Sequence, residues 1–210
     1  KYAGGANCWG GLSVDEKRGM VFFGTGSPSY DFYGADRIGQ NLFGNCIVAL
    51  DAKTGKHIWH FQTIHHDLWD YDLPAPPNLV TVEQDGKKID AVAQTSKVGF
   101  LYVLNRETGE SLFPIEERPV PASDVPGEQA WPTQPFPLKP RPYSRQHMTV
   151  DDLSDYSTAS HDSLTRLFNS TRYEGLFTPP STKGTWMLPG TIGGSEWGGA
   201  AFDPGTHLIY

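Results

Sequence analysis

Three carboxylates and two imidazoles fall within eight residues, His65-His66-Asp67-Leu68-Trp69-Asp70-Tyr71-Asp72, and the run closes on Leu73-Pro74-Ala75-Pro76-Pro77. Prolines fix φ, so this is a stiff turn that projects its polar groups. Three chemistries are open to it. One is a solvated loop whose Asp side chains cap local backbone N–H groups. Another is a transition-metal site, since His and Asp both ligate, although adjacent His residues rarely share one ion. The last is a single Asp acting as general base. Cys8 and Cys46 are the only cysteines. Two thiols do not make a disulfide framework, and a bridge between them would need an oxidising compartment and close Cα atoms, so both are expected as buried thiols.

The elements that must hold these groups are short. The chain has 210 residues, with 23 Gly and 17 Pro. That density of breakers excludes a long-helix protein and suits many short strands joined by turns. The net charge of −7 argues against a basic nucleic-acid footprint. No run of 18 apolar residues occurs, so no membrane span is expected here. Lys1-Tyr2-Ala3-Gly4-Gly5 shows no apolar signal-peptide core. The last residues, His207-Leu208-Ile209-Tyr210, read as a strand cut short, so the chain is expected to be a piece of a larger protein.

Two units repeat. Trp9-Gly10-Gly11, three residues, Asp15, then Met20-Val21-Phe22-Phe23 recurs as Trp197-Gly198-Gly199, three residues, Asp203, then Leu208-Ile209-Tyr210. Ala49-Leu50-Asp51-Ala52-Lys53-Thr54-Gly55-Lys56-His57-Ile58-Trp59 recurs more weakly over Val103 to Phe113. In the second unit Asp51 caps a tight turn, Gly55 supplies a positive φ, and a strand with a fixed aromatic follows. A repeated hairpin with a fixed aromatic predicts propeller blades, each a four-stranded sheet, rather than a sandwich. Further strands are expected at 88–95, 98–104, 171–178 and 185–189, and a short helix at 161–168. Nine of the prolines fall between Pro114 and Pro142. Proline cannot donate to a ladder, so about 114–160 is predicted as an excursion outside the central sheets.

The Ala49-x-Asp51-x-x-Thr54-Gly55-x-x-x-Trp59 unit resembles the blade-docking motif of the quinoprotein dehydrogenases, eight-bladed propellers that use pyrroloquinoline quinone (PQQ). His65 to Pro77 resembles the motif of their membrane-bound glucose dehydrogenase branch. Ser96 to Leu104, Arg172 to Pro180 and Trp197-Gly198-Gly199 extend the resemblance over nearly the whole chain. It implies an all-β fold in which residues 1–210 make about three to four blades of one PQQ-binding propeller domain. Asp70 then falls at the catalytic base and at a metal ligand. Lys97 falls where a cation meets the quinone oxygens. Trp9, 18 residues before Ser27, falls where an indole stacks under PQQ, and Trp197 at a second active-site Trp. Ca²⁺ is the implied metal. Ser27 stands where many alcohol-oxidising relatives have a ligand Asn, Glu196 replaces another Asn, and a further carboxylate ligand is expected upstream of Lys1.

Each implied role has a physical reason. PQQ is flat and anionic, and an indole is the largest platform for a flat face. Hydride transfer puts negative charge on a quinone oxygen, which a lysine stabilises. The substrate hydroxyl must lose its proton, which an aspartate accepts. The plain alternatives are a blade-packing Trp9, a solvent-exposed Lys97 and a capping Asp70. The implied function is oxidation of glucose or another aldose, with alcohols or polyols as the alternative substrates. Electrons would pass to a respiratory quinone or a cytochrome c, in the periplasm, with any membrane anchor outside these residues. A non-enzymatic scaffold propeller would lack the acid–lysine pair. A glycoside hydrolase would need two carboxylates flanking a sugar bond. No Cys-x-x-Cys-His occurs, so no c-type haem attaches within these residues.

Overall fold

The structure, a computed structural model, describes residues 4–210. The reading of the opening residues as free of a signal peptide rests partly on Lys1 to Ala3, which lie outside that range. The first blade is β1 (Leu12–Asp15), β2 (Met20–Gly24), β3 (Cys46–Asp51) and β4 (His57–Gln62), antiparallel and side by side in chain order. Its last hairpin forms as the motif dictates. Asp51 Oδ1 accepts from Thr54 N at 2.7 Å, Thr54 Oγ1 at 2.6 Å and Lys53 N at 3.1 Å. Gly55 turns the chain at φ +70°, a conformation that only glycine adopts without cost.

The second blade is β5 (Asn78–Gln84), β6 (Lys87–Thr95) and β7 (Leu101–Asn105). Its weaker motif copy closes the same turn. Asn105 Oδ1 accepts from Glu107 N and Thr108 N at 2.9 and 3.1 Å. The returning segment then meets β7 through the Asn105 N bond to Glu110 O, the Leu104–Ser111 bridge and the Leu112 N bond to Val103 O. The excursion carries a separate hairpin, β8 (Ile115–Pro119) with β9 (Thr133–Pro137). It is followed by one α-helix, α1 (Thr158–Ser170), whose N-cap Ser157 accepts from Ser160 N. A third unit opens with β10 (Phe202–Asp203) and β11 (Leu208–Ile209). Among the described residues these units have four, three and two strands, so the first is a complete blade.

Trp59 joins the first two blades. Its indole N–H donates to Arg106 O at 3.0 Å, and its ring packs on Phe22 and on Gly109. Arg106 is buried beside it and reaches Asp15 of the first blade at 3.0 Å and Val80 O of the second at 2.8 Å. The aromatic fixed by the motif is thus a blade-to-blade contact.

Several expectations need correction. No strand forms at 171–178 or 185–189; a single bridge joins Arg172 to Thr185. The apolar residues there fill the core instead. Phe177 is buried edge-on to Trp69, Tyr71 and Phe136. The helix is longer than 161–168, because Ser157 caps it four residues earlier. The strand expected from 98 begins at Leu101, because Ser96 to Gly99 closes a turn. Cys46 is buried, but Cys8 is exposed, and the two thiols are free. Among the described residues, no helix is long and apolar enough to cross a membrane.

Candidate active site

The acidic loop after β4 is built by alternation. Trp69 and Tyr71 point inward and are fully buried. The Trp69 indole donates to Thr178 O and the Tyr71 hydroxyl to Pro189 O, each at 2.7 Å. Asp70 and Asp72 therefore project the other way. Asp70 has φ +60°, in the left-handed region that Asp tolerates better than most residues.

The acids have separate tasks. Asp67 is fully buried and caps the loop, accepting from Trp69 N and Tyr71 N at 2.8 Å and from Asn45 Nδ2 at 2.7 Å. It also accepts from the Ser27 hydroxyl. The two histidines diverge. His65 lies against Gln62 and Glu117, and His66 against Gly39 O. The capping reading thus holds for Asp67. The transition-metal reading fails, because the imidazoles serve different loops.

Asp70 and Asp72 converge on Lys97. The buried Lys97 ammonium lies 3.1 Å from Asp70 Oδ2 and 3.2 Å from Asp72 Oδ2. Glu196 Oε1, from the loop before β10, stands 3.9 Å away. The same ammonium is 5.9 Å from the centroid of the Trp9 ring. Asp72 also accepts from Ser27 N, which fixes its carboxylate between the first blade and Lys97. A Cβ at Gly26 would come within 2.9 Å of Asp72 Oδ1 and 3.1 Å of Trp9 Nε1, so a side chain there would collide with both.

The electrostatics follow from this packing. Burial, then the Asp72 charge, push Asp70 up to about 6 against the pull of Lys97. Burial works against the Lys97 charge, but Asp72 and Asp70 outweigh it and hold its pKa above the ordinary value. The pair is a half-buried carboxylate poised near neutrality beside a permanent cation. That is the arrangement of a proton acceptor next to an electrostatic stabiliser.

Of the residues expected at the site, Trp9, Asp70 and Lys97 come together. Trp197 sits on the Glu196 loop and is 76% exposed. Among the described residues its ring makes no aromatic or cation contact, and the loop delivers Glu196 to the ammonium instead. Asp72 was not singled out by sequence reasoning. The signal was present: two buried aromatics at 69 and 71 place 70 and 72 on one face.

A family model for the glucose/ethanol/alcohol dehydrogenase β-propeller domain of the PQQ type matches residues 1–210. The chain belongs to this family. It is 41% identical over 207 residues to a probable quinate dehydrogenase (quinone) of Xanthomonas campestris pv. juglandis, covering 97% of this chain and 26% of that one. It is 40% identical over 209 residues to the quinoprotein glucose dehydrogenase of Escherichia coli K12, covering 96% and 25%. The fold matches the crystal structure of a quinohemoprotein alcohol dehydrogenase from Comamonas testosteroni with a TM-score of 0.61 at 24% identity, over 99% of this chain and 25% of that one. The chain spans about a quarter of the length of these proteins.

The residues present fit the cofactor of a PQQ-type propeller. The Trp9 indole is 42% exposed, with the Lys97 ammonium beside it. A part-exposed indole with a cation near its ring suits a flat anion. A calcium site is not made by these residues alone. The Ser27 hydroxyl is committed to Asp67 and its N–H to Asp72. Among the described residues no three His, Cys, Asp or Glu side chains group around a metal position.

Proposed function

We propose that this PQQ-family propeller oxidises a sugar, glucose or another aldose, and that residues 1–210 form part of its single cofactor-binding domain, with the excursion at about 114–160 standing outside the blades. The observation that carries the reading is the convergence of Asp70, Lys97 and Trp9. Bound PQQ would supply the hydride acceptor. Trp9 would support its ring, and Lys97 would hold a positive charge where negative charge develops. Asp70, ionised above its pKa of about 6, would take the hydroxyl proton of the substrate on its carboxylate. Asp72 would keep Lys97 in place while Asp70 changes charge. Calcium would need ligands beyond those seen here, with Asp70 contributing one oxygen. Trp197 would reach the site only if its loop closes over a ligand.

The electrons would leave to a respiratory quinone or a cytochrome c in the periplasm. The Xanthomonas relative, named as a quinone enzyme, supports the quinone. The same relative, named for quinate, favours a second reading in which the substrate is an alcohol or polyol.

The test is Asp70→Asn in the full-length protein, reconstituted with PQQ and Ca²⁺ and assayed with a dye acceptor on glucose and on polyols. The variant keeps shape and hydrogen bonding but takes no proton. PQQ binding should be near normal, and kcat should fall by at least about 100-fold. Retention of more than about a tenth of the wild-type kcat would remove the general-base role. Turnover of polyols but not of aldoses would select the second reading.

A further inference from the structure

The Pro-rich excursion has no part in the chemistry described so far, yet its far end lies on the turn that carries Lys97. Ser96 to Gly99 is closed by the Gly99 N bond to Ser96 O at 2.9 Å. One phenol holds both backbone groups of Ser96: the Tyr143 hydroxyl accepts from Ser96 N at 2.9 Å and donates to Ser96 O. Tyr143 N donates to Gly99 O at 3.0 Å. Gln146 Nε2 donates to Val98 O at 2.8 Å, and Ser144 Oγ donates to the same carbonyl at 3.4 Å. The fit leaves no slack. A Cβ at Gly99 would fall 1.8 Å from Ser144 Oγ, and the residue has φ +88°.

From the other side, Gly194 N donates to Lys97 O at 2.7 Å. A Cβ at Gly193 would fall 2.6 Å from the Lys97 Cα. Lys97 is therefore held through its backbone, and only the 143–146 clasp reaches it from the excursion.

We propose that Tyr143 is a positioning residue that fixes Lys97 by clamping its turn. The need is electrostatic. Three carboxylates compete for one ammonium on a flexible stem, at 3.1, 3.2 and 3.9 Å. With a loose turn the stem follows whichever acid is ionised. With a fixed Cα the ammonium stays at Asp70, Asp72 and the Trp9 ring together. The effect on turnover rests on the functional reading above; the clamp itself does not.

The test uses Tyr143→Phe in the full-length protein. It keeps the ring and removes both hydroxyl bonds. Gln146→Ala removes the neighbouring bond. Ser123→Ala is the control, since Ser123 bonds Glu128 within the excursion and does not touch the turn. The first readout is the rate of Lys97 acetylation in cofactor-free protein, by mass spectrometry, with Lys53 and Lys56 as internal standards. The second is kcat and KM in PQQ-loaded protein. Loss of the clasp should raise Lys97 acetylation at least about threefold and lower kcat roughly tenfold, with KM within about twofold. Gln146→Ala should move both in the same direction, and Ser123→Ala neither. Lys97 acetylation at the wild-type rate in Tyr143→Phe overturns the clamp, and faster acetylation with undiminished kcat overturns its role in positioning Lys97 for turnover. If wild-type protein with PQQ does not turn over, the functional reading fails and acetylation alone decides the clamp.

Discussion

Replacing Asp72 by Asn should make the enzyme more active in acid. The amide keeps an oxygen for Ser27 N but removes a negative charge from beside Asp70. Both carboxylates touch the same ammonium, at 3.1 and 3.2 Å. Their oxygens cannot be farther apart than those two distances laid end to end, about 6.3 Å, where two unit charges repel by about 2.6 kcal/mol at an effective dielectric near 20 and about 0.7 kcal/mol in water. At about 1.36 kcal/mol per unit, that range is about 0.5 to 2 pKa units. Burial is the larger cause of the rise of Asp70 to about 6, and Asp72 the second. A downward shift of about one unit is therefore expected in Asp72→Asn.

The sign follows from the proposed role. A base works ionised, so with Asp70 in that role activity falls as pH drops through its pKa, and a lower pKa carries activity further into acid. Lys97→Met removes the opposite charge and should move the limb upward, whatever it does to the maximum rate. The assay is kcat/KM from about pH 4 to 8, which reports the free enzyme. An unmoved acid limb in Asp72→Asn, or movement of both variants in one direction, would show that Asp70 does not set that limb.

Other outcomes follow from the packing. Trp59→Ala should destabilise the propeller by about 3–5 kcal/mol in chemical unfolding, as loss of a large buried aromatic does, while leaving PQQ binding intact. Gly109→Ala should cost roughly 1–3 kcal/mol, because its Cβ would fall 2.7 Å from the Trp59 ring at φ +75°. Asp15 is opposed by its own burial, yet Arg106 and Arg18 hold its pKa at about 2, below the ordinary 3.8. The stability this lends is complete above about pH 4 and lost as pH falls through about 2. The advantage of wild type over Asp15→Asn in denaturant midpoint should therefore vanish across that window. Burial pushes the Cys46 thiol up to about 12. Native alkylation followed by peptide mapping should accordingly label exposed Cys8 and spare Cys46 until the protein unfolds.

What the sequence made legible was local or repeated. The Asp51 turn is written in five residues and closes on itself, so its hydrogen bonds could be anticipated without knowing the rest of the fold. The blades were legible because that turn recurs at Asn105. The segments 171–178 and 185–189 misled for the complementary reason. Their apolar residues satisfy a strand pattern, but Phe177 is used against Trp69 and Tyr71, and a side chain that plugs a core is indistinguishable in sequence from one that faces it across a ladder.

The site shows the same division more sharply. Asp70 and Lys97 could be named because each lies in a contiguous motif. The partners that hold Lys97 lie far from it along the chain: Asp72 is 25 positions from Lys97, and Tyr143 is 47 from Ser96. The alternation that turns Asp70 toward Lys97 is itself pinned from afar, since Trp69 and Tyr71 bond carbonyls 109 and 118 residues away. The motif therefore names the candidate base and sets the Asp72 charge beside it, while its aim is specified by later chain that must fold against it. This is why substitutions at Asp72 and Tyr143, rather than at Asp70 and Lys97, should separate tuning from the proposed chemistry. Each leaves Asp70 and Lys97 in place and changes only the charge beside them or the turn that holds them.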